Sequence, residues 1–176
     1  MAVEEGTHQF LTFHLDKEQY AADVSRVREV LELMPLTRLP RMPEYMKGVI
    51  NIRGNVVPVV DLRQKFGMSE VERSVDTSII VMDVGSSDER LTVGCLADSV
   101  EEVVDIQPES VNPPPSFGTK VEAEFIDGIA ERDDQFVIIL DIDKVFRSEE
   151  LQEVGEEAAC RSRTEWHRVA CLRGCA

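Results

Sequence analysis

Residues 48–66, GVINIRGNVVPVVDLRQKF, are answered without a gap by residues 128–146, GIAERDDQFVIILDIDKVF, 80 positions later. Gly48 matches Gly128, Val57 matches Val137, Asp61 matches Asp141 and Phe66 matches Phe146. Each copy reads as an apolar stretch, a polar turn (53–55 and 133–135), a β-branched run, and an aspartate placed to cap a short helix. Two copies of one small β module are expected.

Working outward, Val27–Leu33 (VREVLEL) is echoed by Val100–Ile106 (VEEVVDI) at an offset of 73. The change of offset implies an insertion in the second copy, expected in the loop from Pro113 to Lys120, where three prolines and Gly118 would break any regular element. Two echoes in the same order argue against chance.

The remaining segments read as short strands. Gln9–Leu15 alternates and meets a turn at Asp16-Lys17-Glu18, and Gln19–Asp23 returns. Val24–Leu33 admits either helical spacing or a short helix followed by a strand. Pro35, Pro40 and Pro43 rule out a long helix over 34–45 and suggest an extended segment, then one turn of helix at Pro43–Met46. Gly48–Ile52 and Val56–Val60 are hairpin arms, followed by a capped helix Leu62–Phe66 that Gly67 ends. The polar stretch 69–75 reads as the junction between copies. Thr77–Val84, Arg90–Ala97 and Ser99–Ile106 are further strands, 85–89 being a turn, and Phe125–Glu131 with Gln135–Leu140 forms the second hairpin. A helix over Ile142–Val154 is expected behind Asp141, with Val145, Phe146 and Leu151 facing inward. The class is mainly β with a few short helices, and two small barrels side by side fit best.

At 176 residues and 43% hydrophobic, the chain can bury a real core. Its formal charge of −15 argues against nucleic acid or an anionic membrane surface as a partner. There is no apolar run of membrane-spanning length, and MAVEEGTHQF lacks the features of a signal peptide, so a cytoplasmic location is expected. Cys95 sits in an apolar strand and reads as a small buried thiol.

Cys160, Cys171, Cys175, Trp166 and His167 lie in a tail whose composition departs from the rest. On a helix, His167, Cys171 and Cys175 would share a face and could hold a soft metal. The lack of a paired Cys-x-x-Cys element and the change of character after Gly155 favour a variable or artificially appended, disordered tail over 153–176. No metal and no cofactor is expected.

Nucleotide-binding loops are absent from the sequence, and His8, His14 and His167 have no nucleophile or carboxylate at motif spacing. Asp61 and Asp141 read as helix caps rather than as an acid/base pair. Arg53 stands out: it sits at the tip of the first hairpin where the second carries Asp133, so the module's fold does not require it. A hairpin-tip guanidinium beside Gly54 suits a carboxylate or a partner's carbonyls, against the ordinary reading of a solvated surface charge.

The run GVINIRGNVVPVVDLR over 48–63 closely resembles the signature of the CheW family, the coupling proteins of bacterial chemotaxis. Gln9–Phe13, Val27–Val30, Arg38–Pro43 and Asp141–Val145 fall into line, so the resemblance covers about residues 8–152. It implies a non-enzymatic adaptor built of two five-stranded SH3-like barrels, approximately 16–68 and 69–152, with strand 9–15 shared into the second. The implied partners are the regulatory domain of the histidine kinase CheA and the cytoplasmic tip of methyl-accepting chemoreceptors, at receptor arrays near the inner face of the membrane, with no insertion into it. Family position marks Arg53 and Glu29 as partner-binding residues, able to pair with each other. Val27 and Val30, matched by Val100 and Val103, are candidates to flank a shared apolar groove for a helical hairpin, or else fill the barrel cores. The alternatives are a CheW-like regulatory module of a related scaffold or kinase, and a small metal-binding β-barrel protein.

Overall fold

The computed structural model describes residues 8–69, 72–85, 90–114 and 123–146. Its strands are β1 (His8–Leu15), β2 (Glu18–Asp23), β3 (Val27–Glu32), β4 (Met46–Ile52), β5 (Asn55–Asp61), β6 (Ser78–Val84), β7 (Leu91–Ala97), β8 (Ser99–Ile106), β9 (Val111–Asn112), β10 (Ile126–Arg132) and β11 (Gln135–Leu140). Two one-turn helices, α1 (Leu62–Lys65) and α2 (Ile142–Val145), follow β5 and β11. No helix among the described residues is long and apolar enough to cross a membrane.

The strands form a five-stranded sheet, β3-β6-β7-β5-β4, and a six-stranded sheet, β8-β1-β2-β11-β10-β9. The mainly β class holds, but the sheets are open rather than closed barrels: each pairing order ends on two different edge strands. Each also contains one parallel pair, β5 with β7 and β2 with β11.

Strand 9–15, expected to be shared into the second barrel, does pair there, and the rest of the pairing also runs across the approximate division at residue 68. The N-terminal hairpin β1-β2 completes the second copy's sheet, against β8 and β11, while β6-β7 completes the first copy's sheet, against β3 and β5. The two copies thus exchange hairpins, and a boundary drawn along the chain cannot separate them. Of the open reading at 24–33, the structure takes a 3-10 turn at Val24–Arg26 followed by strand β3. Pro43–Met46 makes a turn closed by the Met46 N–H donating to the Pro43 carbonyl, not a helical turn in its own right.

Alternation places one face of each sheet on a shared core. Phe13, Leu15 and Tyr20 from the N-terminal hairpin meet Val60, Ile80, Met82 and Cys95 from the other sheet, closed by Phe66 and Phe146 behind the two helices. Burial of these groups supplies most of the drive to keep the sheets together. Burial also pushes the Cys95 thiol pKa upward, in keeping with an inert, packed sulfur. A second cluster, including Ile50, Val57, Ile79 and Val81, lies on the far face of the five-stranded sheet under Leu33, Met34 and Leu36.

Asp61 and Asp141 do cap the helices: Asp61 accepts from the Arg63 N–H at 2.9 Å and Asp141 from the Lys144 N–H at 3.2 Å. Burial raises the Asp61 carboxyl pKa despite those donors and the nearby Lys47 and Arg63. Folding therefore favours its protonated form more than the unfolded chain does, and the stability this contributes is present at low pH and lost as pH rises through its folded pKa. Asp61→Ala is expected to cost about 1 kcal/mol through the lost cap, whereas Asp61→Asn keeps an acceptor without the charge. Urea denaturation should find Asp61→Asn at least as stable as the parent at neutral pH, with any advantage shrinking in acid.

The expected insertion at 113–120 lies mostly outside the described residues, as do the 85–89 turn after Gly85, the end of the expected helix beyond Phe146, and the tail with Cys160, Trp166, His167, Cys171 and Cys175.

Candidate partner-binding site

The tips of the two repeated hairpins, β4-β5 and β10-β11, are two-residue turns with positive φ at each central position: Arg53 (50°) and Gly54 (85°), then Asp133 (50°) and Asp134 (60°). Such turns match the strand twist and lift the first central side chain clear of the sheet. The Asn51 carboxamide oxygen accepts from the Gly54 N–H at 2.8 Å and fixes the tip. Arg53 is therefore a solvent-facing charge on a hydrogen-bonded turn, 83% exposed.

Glu29 on β3 lies at the foot of this turn. Its Oε2 is 3.6 Å from Arg53 Nη2, and its side chain is only 27% exposed. The pair expected from the sequence is formed, in a loose geometry that leaves most guanidinium donors open to a partner. Beside it Arg28 Nε is 3.2 Å from Asp83 Oδ2, and Thr92 Oγ1 donates to Asp83 Oδ1 at 2.9 Å. Arg28, Glu29, Arg53 and Thr92, with Ile52, Val56, Val57 and Val81, line a groove of about 720 Å³ on the five-stranded sheet. The groove offers an apolar floor and a charged rim, suited to a protein surface with its own acidic or carbonyl groups.

The valines divide by position. Val27 and Val100 are half-buried and pack against the shared core, while Val30 and Val103 are exposed. Val30 pairs with Ile80 and Val103 with Leu11, so the two sit at equivalent places on the outer strands of the two sheets.

Two features escaped the sequence reading. Arg132, one residue before the second turn, pairs through Nη1 with Glu102 Oε1 at 3.1 Å. Glu102 is the repeat counterpart of Glu29, so each copy has a tip arginine over a strand glutamate, with the arginine displaced by one position. Phe136 and Val56, the first apolar residues of the two return strands, are both exposed and equivalent in the repeat. Phe136 lines a second groove of about 640 Å³ with Ile129, Ile138 and Pro113. The offset of 80 would have paired Val56 with Phe136, had exposure been legible.

The family model described as a CheW-like domain matches residues 9–150. A chemotaxis protein CheW from Klebsiella aerogenes is 33% identical over 151 residues, covering 86% of this chain and 89% of that protein. The chemotaxis protein CheW of Thermotoga maritima is 31% identical over 140 residues, covering 78% and 86%. The crystal structure of the scaffolding protein TtCheW from Thermoanaerobacter tengcongensis superposes with a TM-score of 0.75 at 31% identity, covering 85% of this chain and 94% of that one.

Proposed function

Because the chain belongs to the CheW-like family, we propose that this chemotaxis adaptor is non-enzymatic and couples the cytoplasmic tips of methyl-accepting chemoreceptors to the regulatory domain of the histidine kinase CheA. The observation that carries the reading is Arg53, held at the rim of an open groove and steered by Glu29. An exposed guanidinium beside apolar surface is the composition of a binding hot spot rather than of a catalytic centre. On this reading Arg53 and Glu29 meet the kinase domain. Val30 and Val103 supply apolar contact to the receptor hairpin, with Val27 and Val100 supporting them from the core side. The protein would act in the cytoplasm, at receptor arrays near the inner face of the membrane.

A pull-down with a CheA regulatory fragment and a receptor-tip fragment, tested separately and together, checks this. Each should be retained alone, and the two should be recovered together on one adaptor population; retention of neither would end the reading. Residues 8–152 are proposed to suffice, so removal of 153–176 is expected to change neither interaction and to need no metal.

A further inference from the structure

The chain crosses between the sheets twice, and each crossing is held by a three-point clasp. At the first, between β2 and β3, Arg26 Nη1 donates to the Gly85 carbonyl at 3.0 Å and Nη2 to Asp143 Oδ2 at 2.7 Å. Asp143 Oδ1 accepts from the Gly85 N–H at 3.0 Å. At the second, between β7 and β8, Arg63 Nη1 pairs with Asp98 Oδ2, and that oxygen accepts from the Asp16 N–H at 2.7 Å.

The parts correspond through the repeat. Arg63 and Asp143 are the second residues of α1 and α2, and Asp16 and Gly85 follow the equivalent strands β1 and β6. The charges are inverted, and the exposure differs at the arginine: Arg63 is 8% exposed and Arg26 33%, while their carboxylates, Asp98 at 35% and Asp143 at 44%, are closer to each other. Water and salt therefore compete for the arginine more at the first crossing than at the second.

We propose that the exposed clasp keeps the N-terminal hairpin, residues 8–23, in its own chain, and that releasing it yields a hairpin-exchanged dimer with a second copy of this chain. The hairpin makes its strand pairings with β8 and β11 of the six-stranded sheet, and a second copy offers the same seat for Phe13, Leu15 and Tyr20. Exchange re-forms those pairings and that burial. What it gives up is the compact turn at 24–26: the Asp23 cap on the Ser25 N–H and the two bonds of Arg26. Exchange of an identical element across a short hinge is a low-cost route to dimers, so such local contacts decide the outcome. The second clasp, built on the buried Arg63, holds β6-β7 in place and restricts exchange to the first crossing.

The test refolds full-length parent, Arg26→Glu, Asp143→Lys and the charge-exchanged pair Arg26→Asp/Asp143→Arg at high protein concentration and measures mass by light scattering. Loss of an exposed pair is worth about fivefold in the equilibrium. A dimer forfeits two clasps, so its dissociation constant should fall by about 25-fold in either single variant, with most of the monomer recovered in the exchanged pair. Arg26→Gln, the mildest change, should move the same way by less if Arg26→Glu does not fold. Gln9 and Asp105 are strand partners. With the tail cysteines changed to serine, chains carrying Gln9→Cys alone and Asp105→Cys alone should cross-link in the dimer. Folded variants that stay monomeric, or dimers without that cross-link, overturn the proposal.

Discussion

Arg53→Glu is expected to weaken binding of the CheA regulatory fragment by at least about tenfold, which is about 1.4 kcal/mol, while leaving the thermal midpoint within a few degrees of the parent. The two readouts separate because the side chain is 83% exposed. An exposed ion pair contributes about 0–1 kcal/mol to folding, and the reversed charge faces Glu29 across solvent. At the proposed interface the same position would lose its water, and a reversed charge there would meet a partner surface chosen for a cation. Titration calorimetry against the fragment, beside a melting curve, checks both. The double variant Glu29→Arg/Arg53→Glu should regain the intrachain pair without regaining binding. Arg132→Glu, its counterpart over Glu102, tests whether the kinase contact belongs to the first copy: it is expected to leave this affinity unchanged. Affinity unmoved by Arg53→Glu would remove Arg53 from the interface.

How these residues became visible follows from the kind of information each carries. Turns, caps and hairpin arms are local, and the offset of 80 exposed them: Asp61 and Asp141 were readable as caps because a single side chain and the next few N–H groups suffice. The crossing of strand 9–15 into the second copy, which the family resemblance implies, is seen in its pairing with β8, but no local pattern encodes it across some 90 residues, nor the reciprocal placement of β6-β7 in the first copy's sheet. That is why a boundary at residue 68 looked natural and why closed barrels were expected where the sheets are open. Arg53 was legible as a departure from the repeat. The Arg132–Glu102 pair was hidden by a displacement of one residue, which alignment by identity treats as a mismatch although the two arginines reach equivalent glutamates.

Gly48 and Gly128, the first matched pair of the repeat, should respond unequally to the same substitution. Gly48 has φ of 145°, outside the range that L residues adopt readily, and a Cβ there would stand 2.5 Å from the Thr37 carbonyl oxygen. That carbonyl is held in place, accepting from the Val49 N–H at 2.8 Å while the Thr37 N–H donates to the Val49 carbonyl at 3.0 Å. Gly48→Ala must therefore strain the backbone, at about 1–3 kcal/mol, and loosen two hydrogen bonds at about 1 kcal/mol each. A loss of about 3–5 kcal/mol is expected, a large part of the roughly 5–15 kcal/mol of a typical domain. At Gly128 the added Cβ would be 2.2 Å from Val111 Cγ1 and 3.1 Å from the Asn112 carbonyl oxygen, so the worst contact is a side chain on the short strand β9. Gly128→Ala should cost less than Gly48→Ala, and Val111→Ala should recover part of the loss, whereas Thr37→Ala should recover none at Gly48 because the obstacle there is main chain. Urea denaturation of the two single and two double variants decides it. Equal losses, or rescue of Gly48→Ala by Thr37→Ala, would mean that the repeated glycine answers something other than the close approach of the flanking segment at each strand bulge.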